Sequence, residues 1–140
     1  MPKNIKLLVT RQFPPDVLKR CARDYDCTFN PEDTDWLSED LVSRSANHDA
    51  IFVSSGNKFT ASVIEALPEQ IKIVATFSVG HEHIDLSAAT KRNLIIVNTP
   101  GVLNETTADT AFMLLLCASR RAGAADRMVR GGNWLGWTPT

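Results

Sequence analysis

Ile71-Lys72-Ile73-Val74-Ala75 is followed by Thr76-Phe77-Ser78-Val79-Gly80-His81-Glu82-His83-Ile84-Asp85, then a segment closing on Lys91-Arg92-Asn93, then Leu94-Ile95-Ile96-Val97. Residues 71–97 read as strand, loop, short helix and strand. Both apolar runs are near-continuous rather than alternating, which predicts strands buried on both faces of a parallel sheet. Asp85 can cap the helix between them. Lys91 and Arg92 place cations at its negative end, and Asn93 tolerates the left-handed conformation that closes it.

The same pattern runs upstream. Ile5-Lys6-Leu7-Leu8-Val9, Cys27-Thr28-Phe29 and Ala50-Ile51-Phe52-Val53 are strand-like. Pro14-Pro15-Asp16 opens a helix with the apolar stripe Val17, Leu18, Cys21, Ala22 and Tyr25. Ser38 and Thr60 are placed to cap two more, and Pro68 ends the latter. Alternation of this kind predicts an α/β fold with a doubly wound parallel five-strand sheet and right-handed crossovers. A fifth helix is expected from about Glu105 to Arg130, capped by Asn104. Ala108, Ala111, Phe112, Leu115 and Ala122 form one stripe, while Met113, Leu114, Leu116 and Cys117 cover the other faces. A helix apolar all round needs burial all round, from a second domain or another subunit. Gly131-Gly132 stops it, and Trp134, Leu135 and Trp137 follow in a tail without periodicity. Large apolar groups of that kind point to an interaction surface.

Composition narrows the function classes. The chain has 140 residues, enough for one domain, with 15 Lys plus Arg against 16 Asp plus Glu and a net charge of −1. That balance gives no electrostatic footprint for nucleic acid or for an anionic membrane. The longest apolar run, Ala111 to Ala118, is far below the about 20 residues of a spanning helix. Cys21, Cys27 and Cys117 have neither disulfide-framework nor zinc spacing, which suits a cytoplasmic protein, and the start of the chain shows no signal-peptide pattern.

In open α/β sheets ligands bind at the carboxyl ends of the strands. The loops there are Thr10-Arg11-Gln12-Phe13-Pro14, Ser54-Ser55-Gly56-Asn57, 76–85, and Asn98-Thr99-Pro100-Gly101-Val102. They lack the acidic pair, Asp and Lys of a phosphoacceptor receiver and the glycine-rich phosphate loop of a flavodoxin. His81, His83 and Asp85 have two-histidine metal spacing but no third ligand nearby, so a solvated polar loop is expected and no metal. Gly80 allows main-chain N–H groups to approach a carboxylate or phosphate. No GxGxxG, GxxxxGK[ST] or nucleophile elbow occurs.

Val79-Gly80 with Ile84-Asp85, and Val97-Asn98-Thr99-Pro100-Gly101-Val102 with Ala108-Asp109, resemble paired motifs of the D-isomer-specific 2-hydroxyacid dehydrogenases. Together with Gly131-Gly132-Asn133-Trp134 and Trp137-Thr138-Pro139, the pattern is most similar to the glyoxylate/hydroxypyruvate reductase branch. The resemblance implies a flavodoxin-like substrate-binding domain over residues 1–103. It implies a long interdomain and dimerisation helix over 104–131, and a tail over 132–140 leading to a separate NAD(P)-binding domain. It places the substrate carboxylate on the backbone amides of Val79 and Gly80, with Ser55 and Gly56 lining the pocket. Thr107 would face the nicotinamide end of the cofactor, and Trp137 would reach the neighbouring subunit's site in trans. The family's catalytic Arg, Glu and His have no counterpart here. The expected function is the substrate-binding portion of an NAD- or NADP-dependent reductase of small 2-oxo acids, as a homodimer. The alternative is a non-catalytic small-acid-binding or dimerisation module.

Overall fold

The computed structural model describes residues 4–139, which fall into two compact units divided between Pro100 and Gly101. The first unit is built on β1 (Lys6–Val9), α1 (Pro15–Asp24), β2 (Asp26–Phe29), α2 (Ser38–Arg44), β3 (Ala50–Val53), α3 (Ala61–Ala66), β4 (Ile73–Thr76), α4 (Leu86–Lys91) and β5 (Ile95–Val97). A single 3-10 turn, Ser45–Asn47, follows α2. The strands form one sheet in the order β2-β1-β3-β4-β5, every pair parallel. This is the flavodoxin-like order, with its switch point between β1 and β3.

Successive strand residues point to opposite faces, and the two faces hold separate cores. Leu8, Ile51, Val53 and Val74 pack under Leu41 of α2, Val63 and Ile64 of α3, and Ala88 and Ala89 of α4, around the fully buried Phe59. Leu7 and Val9 pack with Phe13 and with Cys21 of α1 on the other face. Two of the expected caps form. Thr60 Oγ1 accepts from Val63 N–H at 3.4 Å, and Asp85 Oδ1 accepts from Ala88 N–H at 2.9 Å. Asn93 adopts φ 56°, as its place after α4 requires. Ser38 is instead the first residue of α2, behind Leu37, and makes no capping bond.

The expectation of burial on both faces fails at one edge. Ile73, Ile95 and Val97 are 37%, 56% and 48% exposed. They lie on the face that α1 covers, where α1 packs with residues of β1, β2 and β3, and no helix of the first unit covers the β4–β5 side of that face. Near-continuous apolar runs show that a strand can be covered on both faces, not that its own unit supplies both covers.

The second unit holds α5 (Asn104–Ser119) and α6 (Ala122–Arg130). One continuous helix was expected; the chain breaks at Arg121, whose φ of 52° and ψ of 38° are left-handed. No proline marks the break, and Arg120-Arg121 carries no local signal for it. Asn104 does not cap: it is the first helical residue, behind Leu103. Phe112, Met113, Leu114, Leu115 and Leu116 are all exposed, as are Trp134, Leu135 and Trp137. Among the described residues no helix is long and apolar enough to cross a membrane.

Candidate functional site

Each strand of the first unit ends in or is followed directly by a polar residue (Thr10, Asn30, Ser54, Thr76 and Asn98), at the carboxyl end of the sheet. Thr10, Asn30, Asn57, Thr76 and His83 are all buried there. Buried polar groups must find partners or destabilise the fold, so their bonds define the architecture. Thr10 Oγ1 donates to Asn57 Oδ1 at 2.7 Å, a bond that spans the switch point between β1 and β3. Asn30 Nδ2 donates to the carbonyls of Thr10 at 2.9 Å and Thr34 at 2.8 Å. Three strand-end loops are thereby joined from inside.

An ion pair joins two of these loops, those after β1 and β2, from outside. Arg11 Nε and Nη2 grip the two oxygens of Asp33 at 2.8 and 3.2 Å, and Nη1 contacts Asp35. Gln12 N–H donates to Asp33 Oδ1 at 2.8 Å. The Arg11 bond, then the Gln12 amide, hold the Asp33 carboxyl below its usual range, and Asp33 in turn raises the Arg11 guanidinium. Arg11 Nη1 lies 3.7 Å from where a side chain on Gly56 would begin. The guanidinium therefore borders the Ser55-Gly56 loop.

Of the expected site residues, Ser55 and Gly56 follow β3 while Val79 and Gly80 follow β4. These strands are paired neighbours, with Val53 opposite Thr76. Phe77 N–H continues the pairing to Val53 O at 2.8 Å. The structure thus brings the two loops to one edge. Among the described residues, no group accepts from the N–H of Val79, Gly80 or His81. Gly80 is not needed for a left-handed backbone, since its φ is not positive; a Cβ there would run into the Glu82 carboxylate. Thr107 lies in the first turn of α5 and Trp137 in the tail, 81% exposed; both belong to the second unit.

The loop 81–85 departs from the expected solvated segment. His83 is buried, and its Nε2 lies 2.9 Å from Thr76 Oγ1. Phe59 N–H donates to His83 O at 2.8 Å, and Asp85 N–H donates to Phe59 O at 2.9 Å, a short parallel bridge that pins the loop to the β3–α3 connection. Beside that bridge a cleft of about 380 Å³ is lined by Lys58, Thr60, Glu82, His83 and Asp85. None of Ser55, Gly56, Val79 or Gly80 lines it.

His83 and His48 both have pKa values below the ordinary 6.5, chiefly because burial penalises the imidazolium; Lys58 adds to the effect at His83 and Lys6 at His48. A base whose folded pKa is depressed binds more protons unfolded than folded just below 6.5. Its contribution to stability is full above that value and is lost as the pH falls through the folded pKa. The melting temperature is therefore expected to fall as the pH drops from 7 toward 5. His83→Gln should flatten that dependence in a thermal scan; an equally steep fall would show that other groups carry it.

Sequence reasoning located the loops but missed the residues that shape them: the Arg11–Asp33 clamp, the Thr10–Asn57 bridge and Asn98. For Thr10 and Asn98, as for Asn30 and Thr76, the available signal is positional, a polar residue at or just beyond the end of an apolar strand run; Asp33 and Asn57 carry no such signal. Phe13, Phe52 and Phe77 form an aromatic wall at this end, with centroid separations of 4.2 Å between Phe13 and Phe52 and 5.3 Å between Phe13 and Phe77.

Comparison with known proteins adds the family. Residues 7–131 match the sequence profile described as D-isomer specific 2-hydroxyacid dehydrogenase, catalytic domain. The chain is 38% identical over 135 residues to a glyoxylate reductase of Korarchaeum cryptofilum, covering 96% of this chain and 40% of that protein. A solved structure of a D-isomer specific 2-hydroxyacid dehydrogenase from Polaromonas superposes with a TM-score of 0.78 at 38% identity, over 97% of this chain and 43% of that one. An NADPH-dependent glyoxylate/hydroxypyruvate reductase of Sinorhizobium meliloti, solved with NADP and malonate, gives 0.74 at 31% identity, over 95% and 40%. The chain spans about 40% of the length of the curated relatives it matches.

Proposed function

The chain belongs to the D-isomer specific 2-hydroxyacid dehydrogenase family, and on that premise we propose that it is the substrate-binding portion of an NAD(P)H-dependent reductase acting on glyoxylate- or hydroxypyruvate-type 2-oxo acids. The observation that carries this reading is the pair of strand-end loops with unsatisfied amides at Val79 and Gly80. These N–H groups hold the substrate carboxylate, and Ser55 and Gly56 form the facing wall. An anion binds well to oriented amides because their partial charges need no reorganisation to receive it. Arg11 adds little free charge, being paired with Asp33 and Asp35, and it borders the Ser55–Gly56 wall.

NADH or NADPH supplies the hydride in this reading. A dinucleotide pyrophosphate needs a glycine-rich turn between a strand and a helix. None of the strand-end loops of this sheet has one, so the chain is assigned the acid-binding role, with Thr107 its one residue facing the nicotinamide. The reading includes a cytoplasmic setting, which three cysteines without disulfide spacing suit.

Gly80→Val tests the carboxylate assignment. The branched side chain displaces Glu82 and stands beside the amides, so in the protein at its full natural length KM for glyoxylate should rise about tenfold or more, with KM for the cofactor little changed. An unchanged KM for glyoxylate would move the carboxylate elsewhere.

Association belongs to the same proposal. The exposed Phe112, Met113 and Leu116 of α5, with Trp134 and Trp137, form apolar surface of the kind a second copy buries at about 25 cal/mol per Å². A two-fold dimer suits such a self-complementary surface, with Trp137 reaching the partner's substrate loop in trans. Light scattering at tens of micromolar should give the dimer mass; a monodisperse monomer contradicts it.

A further inference from the structure

Both carbonyls of the Val79–Gly80 turn are held by side chains. Asn98 Nδ2 donates to Val79 O at 2.8 Å, and Ser78 Oγ donates to Gly80 O at 2.7 Å. No cis peptide occurs among the described residues, so each carbonyl points opposite to the N–H of the next residue. Holding Val79 O therefore aims the Gly80 N–H away from Asn98. Holding Gly80 O aims the His81 N–H away from Ser78. These are two of the three amides in this turn that no group in the first unit accepts from.

The Ser78 bond has a buried chain behind it. Thr76 Oγ1 lies 2.7 Å from Ser78 Oγ and 2.9 Å from His83 Nε2. A carbonyl only accepts, so the single Ser78 proton goes to Gly80 O. Ser78 Oγ must then accept the Thr76 proton, and Thr76 Oγ1 must accept from His83 Nε2–H. Each hydroxyl has one proton, so one assignment satisfies all three bonds, and it sets the tautomer of the imidazole.

We infer that Asn98 and the relay His83–Thr76–Ser78 are positioning residues that orient the Gly80 and His81 amides toward the substrate carboxylate. The inference rests on the carboxylate assignment above and adds the His81 amide to it. It also explains why a buried histidine sits beside an anion-binding turn: His83 acts as a neutral donor at the head of the relay and touches no substrate. Free rotation of either peptide plane would cost affinity for the acid while leaving the cofactor untouched.

The test uses the protein at full natural length with Asn98→Ala and Ser78→Ala beside Gly80→Val. The expected result is a KM for glyoxylate raised about five- to tenfold in both positioning variants, with KM for the nicotinamide cofactor within about twofold. A raised KM in Gly80→Val with no change in either positioning variant overturns this inference and leaves the carboxylate site standing. No change in any of the three overturns both. If Asn98→Ala does not fold, Ser78→Ala, which removes one hydroxyl from a half-buried site, decides alone. Nitrogen-15 shifts of the His83 ring give a second reading on the unaltered protein. The Nε2–H tautomer is expected, and the Nδ1–H tautomer would overturn the relay.

Discussion

Purified as residues 1–140, the polypeptide is expected to give no oxidation of NADH or NADPH above the blank when supplied with glyoxylate or hydroxypyruvate. Reduction of a 2-oxo acid requires a held nicotinamide and a group that delivers a proton to the new hydroxyl. The sheet offers loops for the acid but no glycine-rich turn for a pyrophosphate. Its histidines do not fill the second role. His83 Nε2 is committed to Thr76, and His48 sits by Thr28 at the opposite ends of the strands, with Nε2 2.9 Å from Thr28 Oγ1. His81 lies on the 78–83 turn, but among the described residues none makes a hydrogen bond to its ring. Saturable, glyoxylate-dependent loss of absorbance at 340 nm from this polypeptide, about the wavelength at which reduced nicotinamides absorb, would contradict the division of labour drawn here.

Phe59→Ala should be the most damaging single substitution in the first unit. The ring is fully buried at the centre of the larger core, between the sheet and α2, α3 and α4. Removing a buried phenylalanine ring typically costs about 3–5 kcal/mol, from a total stability of about 5–15 kcal/mol for a domain. The main chain of Phe59 also carries the bridge to His83 and Asp85, so the substitution falls at the point where this loop is tied to the core. Urea unfolding followed by circular dichroism should show the midpoint shifted strongly downward with the slope retained. A loss below about 1 kcal/mol would mean that the core collapses around the gap, and that the ring is not its keystone.

The strands and the caps of α3 and α4 were legible because their causes are local. β-branched runs, Thr60, Asp85 and Asn93 each act within one turn of chain. The all-parallel pairing followed from the alternation of strands and helices, whereas the order β2-β1-β3-β4-β5 was implied only by the resemblance to a family with a flavodoxin-like domain. The bare face at Ile95 and Val97 was not legible, since apolarity states what a strand tolerates and not what lies over it. The break at Arg121 was hidden because two arginines in sequence read as ordinary helix. At the site, motif resemblance drew attention to the Val79–Gly80 turn, and its carboxylate role is the proposal made above. His83 was misread as solvated because a histidine flanked by His81, Glu82 and Asp85 looks polar. What buries it is Thr76, seven residues back, and a bridge to Phe59 from another loop. Asn98 was quoted within a motif but given no task, because its partner, Val79 O, lies across the β4–β5 connection.

The carboxylate site is the claim on which the rest depends, and a crystal structure with oxalate tests it most directly. Oxalate carries the carboxylate of glyoxylate and cannot be reduced by hydride in its place. With the protein at full natural length, the carboxylate oxygens are expected at about 2.7–3.2 Å from amide nitrogens of the Val79–His81 turn, facing Ser55 and Gly56. Oxalate seated instead at the opposite end of the strands, where Lys6, Asp26, Thr28 and His48 line a cavity of about 260 Å³, would contradict it.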